Sequence, residues 1–151
     1  MGQSPRILIV DDDESIRKVL TAILEDQGYT VESADSAKKA IQKTKRKIYN
    51  LALIDIRLPD MEGINLLTRM KDTTPKMRKI IITGYPTLKN AVEAVNKGAD
   101  AYIVKPFDME KVLKKIKEQL KRQEEAKRYS QEKVAEFIKT RVMELEAEKK
   151  L

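Results

Sequence analysis

Asp11, Asp12 and Asp13 follow the apolar run ILIV (7–10), Asp55 follows LALI (51–54), Thr83 follows III (80–82) and Lys105 follows AYIV (101–104). A short apolar run that ends in a reactive residue reads as a buried strand of a parallel sheet, delivering that residue to the rim. Ligands of open parallel sheets sit outside the carboxyl ends of the strands, so these side chains are expected to converge there. Crowded carboxylates repel unless something positive lies between them, and an all-oxygen site with few protein ligands suits Mg²⁺, which keeps several waters. A free carboxylate beside the cation, with an ammonium group and a hydroxyl opposite, makes a cradle for three phosphoryl oxygens. The expected chemistry is phosphoryl transfer assisted by a divalent cation and centred on Asp55, at the end of the central strand.

Each of these residues also has an ordinary explanation when taken alone. Acids at Asp11 to Glu14 favour the positive end of a following helix, Thr83 can open a turn, and Lys105 can be a solvated charge before a proline. It is their shared place, each just after a strand, that points to a site.

The elements that must position them alternate along the chain. Arg6 to Val10 is a strand, and Ile16, Val19, Leu20, Ile23 and Leu24 then fall at helical spacing on an inward face, with Gly28 ending the helix. Thr30 to Ala34 alternates more, as suits a less buried strand, and Ser36 caps a helix to about Lys47 with Ala37, Ala40 and Ile41 inward and a basic outer face. After the Asp55 strand, Pro59-Asp60-Met61-Glu62-Gly63 is a loop. A helix with Ile64, Leu66, Leu67 and Met70 inward then runs to the break at Thr73-Thr74-Pro75. Lys79 to Thr83 is a fourth strand, Gly84-Tyr85-Pro86 a turn, and Leu88 to Lys97 a helix with Leu88, Ala91, Val92 and Val95 inward, closed by Gly98. Ala101 to Val104 is a fifth strand. Strands alternating with helices through short connections imply right-handed crossovers and a doubly wound parallel sheet.

From Phe107 to Leu151 there is neither Gly nor Pro, so after an Asp108 cap the chain can run as one helix of about 65 Å at about 1.5 Å per residue. Met109, Val112, Leu113, Ile116 and Leu120 form a stripe that closes the sheet domain, expected over residues 1–120. In the extension, 121–151, Val134, Ala135, Ile138, Val142 and Leu145 form a second stripe beyond the sheet's reach. Phe137 and Arg141 interrupt its heptads. An apolar stripe with nothing of its own chain to cover it implies a partner helix, either the same tail of another copy in a coiled coil or a different protein; the alternative is a marginal surface helix.

Composition narrows the chemistry further. The chain has 151 residues and 41% hydrophobic content, enough for one domain with a single core plus an appendage. It contains neither Cys nor His, which removes disulfides, thiolate and imidazole ligands, and cysteine or histidine nucleophiles and bases. The formal charge of +7 is spread among 24 acids rather than packed into one stretch, so direct nucleic-acid binding is not expected. No apolar run is long enough for a membrane span and no leader pattern precedes Arg6, so a cytoplasmic protein is expected.

The motifs ILIVDDDESIR (7–17), LALIDIRLPDMEG (51–63), IIITGY (80–85) and GADAYIVKPF (98–107) come in an order and spacing that resembles the receiver domain of two-component response regulators, over residues 6 to about 120. The resemblance implies a flavodoxin-like fold, (βα)5 with strand order 2-1-3-4-5. It implies Asp55 as phosphoacceptor and a Mg²⁺ site formed by Asp11, Asp12, Asp55 and the backbone carbonyl of Arg57, with Asp11 acting mainly through water. Lys105 would pair with Asp55 and then with the phosphoryl group, Thr83 would hydrogen-bond a phosphoryl oxygen, and Tyr102 would turn inward as Thr83 moves. Arg57 and Tyr85 stand two residues after Asp55 and Thr83, where the family tunes the lifetime of the phosphoryl group. A chain without histidine needs a separate donor, a histidine kinase or a histidine phosphotransfer protein, or a small acyl phosphate in its place.

The expected function is a phosphorylation switch acting through the fourth helix, fifth strand and fifth helix, on self-association through the fifth helix and tail or on another protein. One alternative is a Mg²⁺-dependent phosphatase of the haloacid dehalogenase type with Asp11 as nucleophile, which leaves Asp55 idle and lacks room for a cap domain. Another is a phosphorylation-independent adaptor acting through the tail. A DNA-binding output finds no second helical unit in the tail.

Overall fold

A computed structural model of the chain describes residues 3–73 and 75–150. Thr74, within the expected break, lies outside the described residues, as does Leu151 at the end of the tail. Five parallel strands form one sheet in the order β2-β1-β3-β4-β5: β1 (Arg6–Val10), β2 (Thr30–Ala34), β3 (Leu51–Asp55), β4 (Arg78–Thr83) and β5 (Ala101–Val104). Helices α1 (Glu14–Asp26), α2 (Ala37–Arg46), α3 (Gly63–Leu66), α4 (Leu88–Asn96) and α5 (Met109–Lys149) alternate with them. This is the flavodoxin-like order expected.

Successive strand residues point to opposite faces, and both faces of this sheet are covered. Leu8, Val10, Ala52, Ile54 and Ile81 pack under Ala37 and Ala40 of α2 and Ile64 and Leu66 of α3. Ile7, Ile9, Leu51, Leu53, Ile80 and Ile82 pack under Leu20 and Leu24 of α1 and Val112 and Ile116 of α5. β3, in the middle, is buried at every position, whereas β2 at the edge is mostly half-buried. That gradient explains why β3 reads as a continuous apolar run and β2 as an alternation.

Three expectations are corrected. The helix expected to continue past Leu67 to Met70 stops after one turn as α3, although Leu67 and Met70 are buried as expected. The ammonium group of Lys79, itself buried, donates to the Leu67 carbonyl at 2.7 Å and so occupies an acceptor that a further helical turn would use. Val19 lies outside the buried stripe of α1. The face of α4 is reversed: Ala94 is fully buried in the core, while Leu88, Val92 and Val95 are 83%, 50% and 68% exposed. Asn90 Nδ2 donating to the Tyr85 carbonyl and Lys97 Nζ donating to Asn65 Oδ1 accompany this rotation, which places the small Ala94 side chain in the core.

α5 is a single helix of 41 residues, capped by Asp108, whose side chain accepts from Glu110 N. Val112 and Ile116 are buried, with Met109, Leu113 and Leu120 packed beside them. Its contact with the body runs on to Gln123, whose amide donates to the carbonyls of Asn50 (2.9 Å) and Lys76 (2.8 Å) and accepts from Asn50 Nδ2 (3.2 Å). Beyond Gln123 every described residue is exposed, including Val134, Phe137, Ile138, Val142 and Leu145.

Candidate functional site

β1 and β3 pair in parallel, with Val10 opposite Ile54, so the residues that follow them, Asp11 and Asp55, leave the sheet side by side. One carboxylate oxygen from each of Asp11, Asp12 and Asp55 lies within 4.8 Å of the others. Asp11 is buried, Asp12 exposed and Asp55 only 9% exposed, so the cluster opens to solvent on one side. Lys105 reaches across the sheet from the end of β5, with Nζ 3.1 Å from Asp11 Oδ2 and 3.2 Å from Asp55 Oδ2. Its peptide bond to Pro106 is cis.

Backbone donors and neighbouring side chains hold these groups in place. Asp13 N donates to Asp11 Oδ1 at 2.9 Å, and Arg57 N donates to Asp55 Oδ1 at 3.3 Å. Asp13 caps α1 by accepting from Ile16 N, the helix-end role expected of it. Arg17 donates to the Asp11 carbonyl at 2.8 Å. Thr83 ends β4 fully buried, one residue past Ile82, the register partner of Asp55. Its hydroxyl accepts from Tyr85 N (2.9 Å) and its carbonyl from Lys105 N (2.7 Å). Tyr102 on β5 packs its ring against the core, with a hydroxyl that is buried and has no hydrogen-bond partner among the described residues. The Arg57 guanidinium stacks on the Tyr85 ring, 3.4 Å from its centroid.

The electrostatics follow from the crowding. Burial raises the Asp11 pKa, the Asp13 N–H opposes that, the nearby Asp55 charge adds to it and Lys105 lowers it; the net shift is upward. Burial pulls Lys105 down, but Asp11 and Asp55 together outweigh it and hold the ammonium charged. Three carboxylates against one ammonium give the pocket of oxygen donors a formal excess of two negative charges. That residue charge and donor type fit a hard divalent cation such as Mg²⁺.

Asp11, Asp12, Asp55 and Lys105 are thus brought together as the sequence suggests, with Thr83 and Arg57 bonded directly to members of the group. Sequence reading missed Arg17, Gly63 and Asp60. A Cβ on Gly63 would run into the Asp55 backbone, so glycine lets the loop after β3 press down on the strand end. Asp60 accepts from Ala37 N and Lys38 N at the start of α2. A carboxylate just after a loop proline is a recognisable capping candidate, but a cap for a helix 23 residues earlier has no local signal.

The family model of the response regulator receiver domain matches residues 7–117. Among curated proteins, the transcriptional regulatory protein ZraR of Klebsiella oxytoca is 38% identical over 119 residues, 79% of this chain and 27% of that protein. The alginate biosynthesis transcriptional regulatory protein AlgB of Pseudomonas putida is 39% identical over 101 residues, 67% of this chain and 22% of its own length. The chain therefore spans about a quarter of the length of these relatives. Among solved structures, a CheY-like response regulator receiver domain protein from Methanospirillum hungatei superposes with a TM-score of 0.78 at 49% identity, covering 82% of this chain and 98% of that one. The beryllofluoride-activated NtrC4 receiver domain dimer gives 0.73 at 36% identity, covering 78% and 98%. With its sheet order, the acidic cluster at its strand ends and these matches in agreement, the chain belongs to the receiver domain family of two-component response regulators.

Proposed function

We propose that this domain accepts a phosphoryl group on Asp55 from the phosphohistidine of a histidine kinase or a histidine phosphotransfer protein. The observation that carries the reading is the Lys105 ammonium 3.2 Å from Asp55 Oδ2, with the carboxylates of Asp11 and Asp12 within 4.8 Å of it. A carboxylate oxygen of Asp55 attacks phosphorus, the O–P bond forms as the donor N–P bond breaks, and the imidazole leaves with the electron pair. Asp11, Asp12, Asp55 and the Arg57 carbonyl would hold Mg²⁺, which when bound supplies charge neutralisation for the carboxylates and for the phosphoryl oxygens. Lys105 stabilises charge on the transferred group, and the Thr83 hydroxyl, on giving up Tyr85 N, bonds a phosphoryl oxygen.

Thr83 and Lys105 are linked through the backbone, and Tyr102 lies on the strand beside Thr83. A shift of Thr83 therefore propagates to β5 and to the face that α4 and α5 share with it. Leu88, Val92, Val95 and Val104 already expose apolar side chains there, which suits a surface that changes partners on phosphorylation. The exposed tail stripe gives a second copy a place to dock, and the NtrC4 relative is a dimer when activated by beryllofluoride. No observation favours the phosphatase alternative, which leaves Asp55, held 3.2 Å from the Lys105 ammonium, without a role.

The test is incubation with a small acyl phosphate and Mg²⁺, followed by intact-protein mass measurement. The wild-type chain is expected to gain one phosphoryl group and Asp55→Asn none. Uptake by Asp55→Asn at the wild-type level would reject Asp55 as the acceptor. Light scattering with beryllofluoride then separates self-association from binding of another protein.

A further inference from the structure

Asp60 sits at the tip of the β3–α3 loop, three residues past Arg57, and both its carboxylate oxygens are taken by another element. Oδ1 accepts from Ala37 N at 2.9 Å and Oδ2 from Lys38 N at 2.8 Å. These are the first two helical amides of α2; the next, Lys39 N, is satisfied by the Ser36 hydroxyl at 3.2 Å. The loop thus supplies two of the four caps the helix needs, as charge-assisted bonds aligned with the positive end of the helix dipole.

Within the loop there is little slack. Gly63 N donates to the Ile56 carbonyl at 2.6 Å, Arg57 and Glu62 form an antiparallel bridge, and Leu58 is packed against the core. Between Arg57 and the clamp lie only Leu58 and Pro59, a pair whose backbone proline restricts. Where Asp60 is held, the Arg57 peptide is held too.

We propose that Asp60 is a positioning residue for the cation site: by bolting the loop to the start of α2, it fixes the Arg57 carbonyl and the Asp55 side chain in the arrangement that binds Mg²⁺. This rests on the Mg²⁺ site proposed above. The clamp and the metal site then share one free energy of ordering, so each must strengthen the other by the same factor.

The experiment is calorimetric titration of the full chain with Mg²⁺ alone, for wild type, Asp60→Ala, Asp60→Asn and Ser36→Ala. Asp60→Ala is expected to bind about tenfold more weakly, as for other residues that support a metal ligand without touching the ion. Asp60→Asn keeps one acceptor and falls between. Ser36→Ala removes a cap from the same helix but leaves the loop alone, so it keeps wild-type affinity. In the wild-type protein, Mg²⁺ is expected to slow hydrogen exchange of the Ala37 and Lys38 amides by about the same tenfold; this readout needs no variant and survives any folding defect. Wild-type affinity in Asp60→Ala, an equal loss in Ser36→Ala, or unchanged protection of those two amides overturns the inference while leaving the metal site standing. Failure of the wild-type chain to bind Mg²⁺ overturns the metal site itself.

Discussion

Replacing Asp55 by Asn is expected to make the protein more stable in the absence of divalent cations, because the site concentrates like charge. The nearest oxygens of Asp11, Asp12 and Asp55 lie within 4.8 Å of one another, so at an effective dielectric of about 20 each ionised pair repels by about 3.5 kcal/mol. Lys105, 3.2 Å from Asp55, returns about 5 kcal/mol on the same scale. Neutralising Asp55 removes two repulsions, about 7 kcal/mol, and one attraction of about 5, for a gain of about 2 kcal/mol. Asp12 is exposed, so its share is screened further, and at an effective dielectric of about 28 it falls to about 2.5 kcal/mol and the gain to about 1 kcal/mol. The amide keeps the size of the side chain and an acceptor for Lys105. With an unfolding entropy of about 2.1 cal/mol/K per residue over roughly 115 cooperative residues, Tm rises by about 4 °C. The assay is thermal unfolding followed by circular dichroism in EDTA at low salt. At about 1 M NaCl the difference shrinks, because the Debye length falls to about 3 Å. A Tm for Asp55→Asn below wild type in EDTA would refute the reasoning, since the ion pair with Lys105 would then outweigh the repulsion.

Other perturbations test how the domain is assembled. Gln123→Leu breaks three hydrogen bonds and leaves the Asn50 and Lys76 carbonyls without this partner; a loss of about 2–4 kcal/mol is expected, read as a Tm lower by about 8–16 °C. The reversed face of α4 predicts that Leu88→Ser, at an exposed position, changes stability by less than about 0.5 kcal/mol. Ala94→Leu, at a fully buried one, overpacks the core at a cost of about 1–3 kcal/mol; denaturant titration of both variants decides. The amides of Lys38 and Ala37 lower the Asp60 pKa from its ordinary 3.8, so the clamp's contribution is present above that value and is lost as pH falls through the lower folded value. The Tm gap between wild type and Asp60→Ala is therefore expected to be constant near neutrality and to close in strong acid.

The strand ends and their chemistry were legible because each depends on a local pattern. An apolar run followed by Asp11, Asp55, Thr83 or Lys105 states both that a strand is buried and where it stops. The long α5 was legible for the same reason: an Asp108 cap, no helix breaker and a stripe at helical spacing are all written within a few residues of one another.

What sequence by itself determined is thus the periodicity of each element and the residue types delivered to the rim. What only the tertiary structure decided is which of several locally equivalent options is used. In α4 the large residues Leu88, Val92 and Val95 and the small Ala91 and Ala94 both fall on helical stripes. Bulk favours the first, but in the folded protein it is Ala94 that enters the core, and the larger side chains go to solvent. Lys79 bonds the Leu67 carbonyl at the end of α3 from 12 residues away, Asp60 caps α2 from 23, and Gln123 joins α5 to Asn50 from 73. Such bonds leave no local trace, because their geometry exists only once the chain has folded and brought the two partners together.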